Sequence, residues 1–191
     1  MMKKKPLLVG RKEFTDLYDV HENAVSARWV PAGIVSYGDA VIVSGKYVWP
    51  GGVAVRFALP EGSVGRQLNP RKLAALKEEQ GATWVPESKD DLPALMGTHE
   101  YAELYGVAHA VVSNYVRRGS ALVAAPDYYV SGSPVWLVET VRKYAPTAEK
   151  ASRTGAWVLH EDVAKALEAK KYKGPGSTVA TRGRNAAKPA K

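Results

Sequence analysis

The chain is written twice. Displaced by 87 residues, residues 10–58 lie on residues 97–145. Identical pairs keep their order through both copies: Glu13 with Glu100, Leu17 with Leu104, Tyr18 with Tyr105, Val20 with Val107, Val25 with Val112, Ser26 with Ser113. Ser44, Gly45, Val48 and Trp49 then match Ser131, Gly132, Val135 and Trp136. Phe14 with Tyr101, Asp16 with Glu103, Arg56 with Lys143 and Phe57 with Tyr144 are similar pairs. Composition rarely supplies Trp, Tyr and Gly in step, so a duplication reads better than two αβ segments alike by chance. The register slips by one residue near Trp29 and Tyr115, where an insertion in the first copy pairs WVPAG with YVRRG. Two small units are therefore expected, each with a modest core.

The second copy is the more regular. Residues 99–105 place Tyr101, Leu104 and Tyr105 at helical spacing, with Thr98 as a candidate N-cap. Gly106 can take a positive φ and ends that helix. Val107 is expected as a buried plug. Residues 108–118 form a second helix with Val111, Val112 and Tyr115 inward and Gly119 as its stop. Two helices around a tight glycine turn make a helix-turn-helix, and Ala102 is small where they cross. Residues 127–130 and 135–137 are β-formers around Ser131-Gly132-Ser133-Pro134, a hairpin signature, and 139–145 read as a short closing helix.

The first copy departs from this pattern. Thr15 stands for Ala102, and Asp19, which tolerates left-handed geometry, stands for Gly106. Pro31 and the extra residue should shorten or tilt its second helix. Downstream, residues 69–80 read as a helix with Asn69 as N-cap, Pro70 at the first position and Gly81 as stop. Residues 161–171 read as another helix, and GATWV at 81–85 with GAWV at 155–158 looks like a further echo. From Lys170 the chain carries Lys170, Lys171, Lys173, Arg182, Arg184, Lys188 and Lys191 without an acid, broken by Gly174, Pro175 and Gly176. That composition predicts disorder. The expected fold class is α+β, mostly helical. Its divisions are a basic arm at 1–9, a unit at 10–60, a connecting helix and linker at 61–96, a unit at 97–146, a helical extension at 147–173 and a disordered basic tail at 174–191.

The order helix, turn, helix, hairpin, helix is carried by EYAELYGVAHAVVSNYVRRG, APDYY and SGSPVWLVETVRKYA. It resembles the winged helix-turn-helix of the MerR and phage-excisionase type over about 50 residues, and more loosely over about 50 of the first copy. The resemblance implies double-stranded DNA as partner, for a bacterial or phage regulator of repressor type. It also implies an alternative, an architectural factor bending DNA for a recombinase. RNA polymerase or a recombinase would be the protein partner. A composition rich in Ala, Val, Gly and Arg is compatible with a GC-rich bacterium or its phage.

Charge points the same way. The chain is 46% apolar and 24% charged, with a net charge of +8 and a pI near 9.6, which favours polyanions. No basic amphipathic helix with a bulky apolar face is evident, which favours nucleic acid over a membrane surface. No run reaches the roughly 18 apolar residues of a membrane span. Lys3, Lys4 and Lys5 precede only the short apolar run 6–9, too short for a signal-peptide core, so a cytoplasmic protein is expected. The absence of cysteine excludes disulfides and thiolate metal sites. His21, His99, His109 and His160 are isolated, without helical His pairing or carboxylate company. Residues 62–65 lack the lysine and length of a phosphate loop, no GxSxG occurs, and Asp90 and Asp91 before Pro93 read as a helix start or linker. No cofactor, no metal and no catalysis are expected.

A second helix laid in the major groove presents its N-terminal half to base edges. In the second copy His109, Ala110, Ser113, Asn114 and Arg117 face outward. Asn can bond adenine at two points, Arg can bond guanine likewise, and Ala can meet a thymine methyl. Arg118 and Lys143 suit phosphates. The first copy offers Glu22, Asn23, Ser26 and Arg28. Glu22 could accept from a cytosine amine but repels phosphate. Lys46, at the tip of the first hairpin, suits a phosphate or the minor groove. For all of these the competing reading is an ordinary solvated face. Trp49, Trp136, Tyr18 and Tyr105 are expected as core. The N-terminal lysines and the tail add affinity that falls with salt. Two unlike readers on one chain predict an asymmetric bipartite site read by a monomer or dimer. The alternatives are a DNA-packaging or assembly adaptor, such as a small terminase subunit, which should be a large oligomer, and an interaction module that kept the fold without DNA.

Overall fold

The duplication is visible element by element in a computed structural model that describes residues 5–60 and 62–179. The first copy runs β1 (Leu8–Val9), α1 (Arg11–Leu17), a π-helix (Val25–Trp29), β2 (Val41–Val43), β3 (Lys46–Pro50), α2 (Gly51–Arg56) and α3 (Pro70–Gln80). The second runs β4 (Leu95–Met96), α4 (Thr98–Leu104), α5 (His109–Arg118), β5 (Tyr128–Val130), β6 (Ser133–Leu137), α6 (Val138–Ala151) and α7 (Glu161–Glu168). The fold is α+β. Each copy builds a three-stranded antiparallel sheet, in the orders β1-β3-β2 and β4-β6-β5.

Local chemistry explains most of these elements. Val43 pairs with Lys46 and Val130 with Ser133, which leaves Ser44-Gly45 and Ser131-Gly132 as two-residue turns. All four have positive φ, at 46°, 75°, 47° and 71°, the type I′ geometry that matches strand twist. Asn69 Oδ1 caps α3 by accepting from the amides of Arg71 and Lys72, at 3.1 and 3.2 Å, a contact contributing about 1 kcal/mol. Gly81, at φ 59°, ends that helix. The inserted residue of the first copy is absorbed by the π-helix, in which Val30 N–H donates to Val25 O across five residues at 2.9 Å. The shift restores equivalence: Gly33 (φ 68°) closes the turn that follows the π-helix, where Gly119 (φ 62°) caps α5.

Several boundaries differ from the sequence reading. Residues 5–9 are no arm: Leu7, Leu8 and Val9 are fully buried, and β1 pairs with Trp49 and Pro50. The copies therefore begin before Gly10. Span 61–96 is not only a connection, since α3 packs on α1 and the buried Gln80 amide bonds both N–H and C=O of Leu8, at 2.9 and 2.8 Å. Pro146 does not end α6, because Val138, Val141 and Ala148 share one buried face and packing holds the helix to Ala151. The GATWV echo is not an equivalence: Trp84 follows α3, whereas Trp157 precedes α7. The described chain also keeps a defined path beyond the break at Gly174, since Gly176 O accepts from Gly45 N–H at 2.7 Å. The rest of the tail and Lys3 and Lys4 lie outside the described residues. Among the described residues no helix is long and apolar enough to cross a membrane.

Three apolar cores hold the described residues. One lies in each unit, around Phe14, Trp29 and Trp49 in the first and around Tyr101, Val112 and Trp136 in the second. The third joins the two sheets, with Leu8, Val43 and Val48 against Tyr128, Val130, Val135 and Leu137. At its edges the hairpin turn of each copy docks on the first helix of the other. Ser44 donates to Glu100 from its N–H at 2.7 Å and its hydroxyl at 2.6 Å. Ser131 donates to Glu13 in the same way, at 2.6 and 2.8 Å. The amides of His99 and Lys12 return bonds to the Ser44 and Ser131 hydroxyls, at 2.9 and 3.1 Å. Reciprocal contacts of this kind are what a two-fold relation between copies produces. They also require glycine at Gly10 and Gly97, where a Cβ would stand 2.4 Å from the opposing serine hydroxyl.

Candidate nucleic-acid interface

The second copy builds its helix pair around Gly106. The chain leaves α4 at Tyr105, turns through Gly106 at φ 61°, and Val107 N–H donates to Ala102 O at 2.9 Å. Val107 is half-buried rather than the fully buried plug expected. In the first copy Val20 N–H donates to Thr15 O at 3.1 Å and Asp19 takes φ 51°, so the same turn is made by a residue with a side chain. The neighbouring N-cap explains how each turn is tolerated. Asn69 and His160, the N-caps of α3 and α7, each donate from N–H to the last residue of the first helix, Leu17 O and Leu104 O, both at 2.8 Å. The Asn69 amide reaches the Asp19 carboxylate at 3.0 Å; that bond, with Lys72 beside it, holds the carboxyl below its usual range. The His160 ring fills the matching space in the second copy, 2.9 Å from where a Cβ on Gly106 would stand.

Gly106→Asp should therefore cost about 2 kcal/mol, from left-handed strain and collision with His160. Adding His160→Asn, which recreates the first copy's pair, should recover roughly half of it, as thermal or urea denaturation would measure. No recovery in the double variant would show that the two turns are not built alike.

Val112 is buried and Val111 and Tyr115 are half-buried, which turns the rest of α5 outward. His109, Ala110, Ser113, Asn114, Arg117 and Arg118 are all exposed. Arg117 Nη2 reaches back one turn to donate to Asn114 Oδ1 at 3.0 Å, as long helical side chains leaning toward the N-terminus do. The amide and the guanidinium thus form one polar patch. Ser113 bonds its own helix at His109 O, 3.1 Å. The histidines expected to be isolated are not all so: the rings of His99 and His109 stack at 4.4 Å and 16°, tying the start of α4 to that of α5. Among the described residues no cluster of three His, Asp or Glu could hold a metal.

The first copy presents less. Its second helix is five residues of π-helix, beside which Glu22, Asn23 and Arg28 are exposed while Ser26 is half-buried and bonds Asn23 O at 3.3 Å. Two basic residues chosen from the sequence have other partners. Lys143, on α6, is ion-paired with Glu139, and Lys46 donates from its ammonium to the Ser133 hydroxyl. The hairpin bearing Lys46 is docked on the second unit and does not stand free as a wing. In contrast, Arg28, Arg117 and Arg118 belong to no ion pair among the described residues, and neither do Arg11 and Lys12.

Arg11 and Lys12 were not singled out in the sequence. They open α1 and border a groove of about 640 Å³ that runs between the units. Arg11, Lys12 and Glu22 line it from the first copy, Thr98, His99 and Ser113 from the second, with the hairpins between. Ser113 stands on α5 and Glu22 in the turn just before the π-helix, so the groove reaches from α5 to the approach to the first copy's second helix. Trp49 and Trp136 are core, at 1% and 0% exposure, and their indoles donate to Ser36 O and Ala124 O at 3.0 and 2.8 Å. Tyr18 and Tyr105 are likewise buried. Comparison with family models, with curated proteins and with solved structures returned no match.

Proposed function

We propose that the chain is a sequence-specific double-stranded DNA-binding protein, not an enzyme, built from two fused helix-turn-helix units of winged type. It acts as a bacterial or phage regulator by occupying an operator, or as an architectural factor beside a recombinase. The observation that carries this reading is the outer face of α5. It sets an amide, a guanidinium, an imidazole and a small apolar side chain on one exposed surface, without acidic partners among the described residues, on a helix fixed by a tight turn. Those groups are the ones that pair with base edges in the major groove.

The second unit is the principal reader, since α5 spans ten residues and its counterpart only five. Glu22, Asn23, Ser26 and Arg28 make the first unit's contribution smaller and different in sequence. Selection of bound duplexes from a randomised library tests this. The expected outcome is an asymmetric site with one strongly specified half and one weakly specified half at fixed spacing. Enrichment of a perfect inverted repeat would count against unequal readers, and no enrichment at all would count against sequence reading.

A further inference from the structure

Both hairpin turns are held in the contact between units, so neither is available to reach along a duplex. What lies between the units is the groove, and among the described residues its open cations have no acidic partners. We propose that this groove seats the sugar–phosphate backbone of duplex DNA between the two half-sites, with Arg11, Lys12 and Lys46 on the phosphates. This inference rests on the DNA-binding reading above and assigns it a second contact surface.

Position, charge and rigidity support it. The groove runs from Ser113 on α5 to Glu22, just before the π-helix, so a duplex laid along α5 toward the first copy passes over it. Among the described residues Arg11 and Lys12 are exposed and in no ion pair, and the Lys46 ammonium has a neutral hydroxyl as partner. Among the described residues Glu22 is the one carboxylate on the lining, against these cations and the His99 ring. The backbone bearing the cations is already fixed, since Lys12 N–H donates to the Ser131 hydroxyl at 3.1 Å and Lys46 opens β3. Little ordering is then left for binding to impose.

The path of the C-terminal segment argues for an anion as the occupant. Gly176 is bonded to Gly45 and Val179 lines the same groove, while the sequence beyond carries Arg182, Arg184, Lys188 and Lys191 and no acid. The described end of the chain, residues 176–179, brings no acid to the groove, which leaves its cations open to a polyanion.

The test is the salt dependence of binding to the selected duplex. Each phosphate neutralised adds about 0.9 to the slope of log K against log salt. Arg11→Gln with Lys12→Gln should lower that slope by about 2 and weaken binding at moderate salt roughly tenfold, leaving sequence preference unchanged. Lys46→Gln alone should lower it by about 1, which keeps a readout if the double variant folds poorly. The charge-keeping pair Arg11→Lys with Lys12→Arg should retain the slope. In a hydroxyl-radical footprint, the Arg11→Gln, Lys12→Gln protein should lose protection at the centre and keep it over both flanks. An unchanged slope, or loss confined to a flank, would overturn the groove assignment while leaving the DNA-binding reading intact. A wild-type chain that binds no duplex would instead reject that reading itself.

Discussion

Glu100→Ala should destabilise the folded chain by about 3–5 kcal/mol, because it strips three donors of one buried charged acceptor. Glu100 is 2% exposed. Its carboxylate accepts from Ser44 N–H at 2.7 Å, from the Ser44 hydroxyl at 2.6 Å and from Gly97 N–H at 2.9 Å. Alanine leaves those donors without an acceptor where the two units meet, and a domain has only about 5–15 kcal/mol to lose. Glu13 makes the reciprocal bonds but is half-buried, so water can replace part of what Glu13→Ala removes. That variant should cost about 1–3 kcal/mol. Urea denaturation monitored by tryptophan fluorescence checks both values. A Glu100→Ala cost below about 1 kcal/mol, or one no larger than that of Glu13→Ala, would show that the clasp is not what joins the units.

On DNA, the largest loss should come from Asn114→Ala with Arg117→Ala. Each lost base contact is worth about 1–3 kcal/mol. Because the two side chains bond each other at 3.0 Å, their losses should not add in full, and about 2–4 kcal/mol is expected for the pair. That is a fall of roughly thirtyfold to a thousandfold in affinity for the selected site, with little change for unrelated duplex. Arg118→Ala should instead weaken every sequence alike, as loss of a phosphate contact does. Both variants change exposed groups, so stability should move by no more than about 0.5 kcal/mol. Titration against selected and scrambled duplexes separates these outcomes. If the double variant keeps the site preference of the parent chain, α5 does not read the sequence.

Much of each unit could be read from the linear pattern, because local chemistry decides it. The Ser-Gly turns, the Asn69-Pro70 helix start and the glycine stops all formed where their residue types require them. The slipped register at Trp29 became a π-helix, the backbone form that takes up one extra residue. The contact between units was not legible in the same way. Period and propensity describe a residue and its neighbours, whereas Glu13 meets Ser131 and Ser44 meets Glu100 across the duplication. A signal was nonetheless present in the repeat. Gly10, Glu13, Ser44 and Gly45 recur unchanged in the second copy, while the outward side chains of the second helices diverge, Glu22 to His109 and Asn23 to Ala110. Identity between copies marked the shared scaffold, and divergence at every outward position but Ser26 and Ser113 marked the faces proposed to read DNA. Lys143 shows the limit of reading charge alone, since its Glu139 partner stands one turn away on the same helix and takes up the charge.

The central claim is that this molecule holds duplex DNA, and the most direct measurement is retention of mixed-sequence duplex by the purified chain across a salt series. Retention at low ionic strength that weakens steeply as salt rises is the expected result. A chain that retains no duplex at any ionic strength would contradict the assignment, and the fused pair of units would then serve another partner.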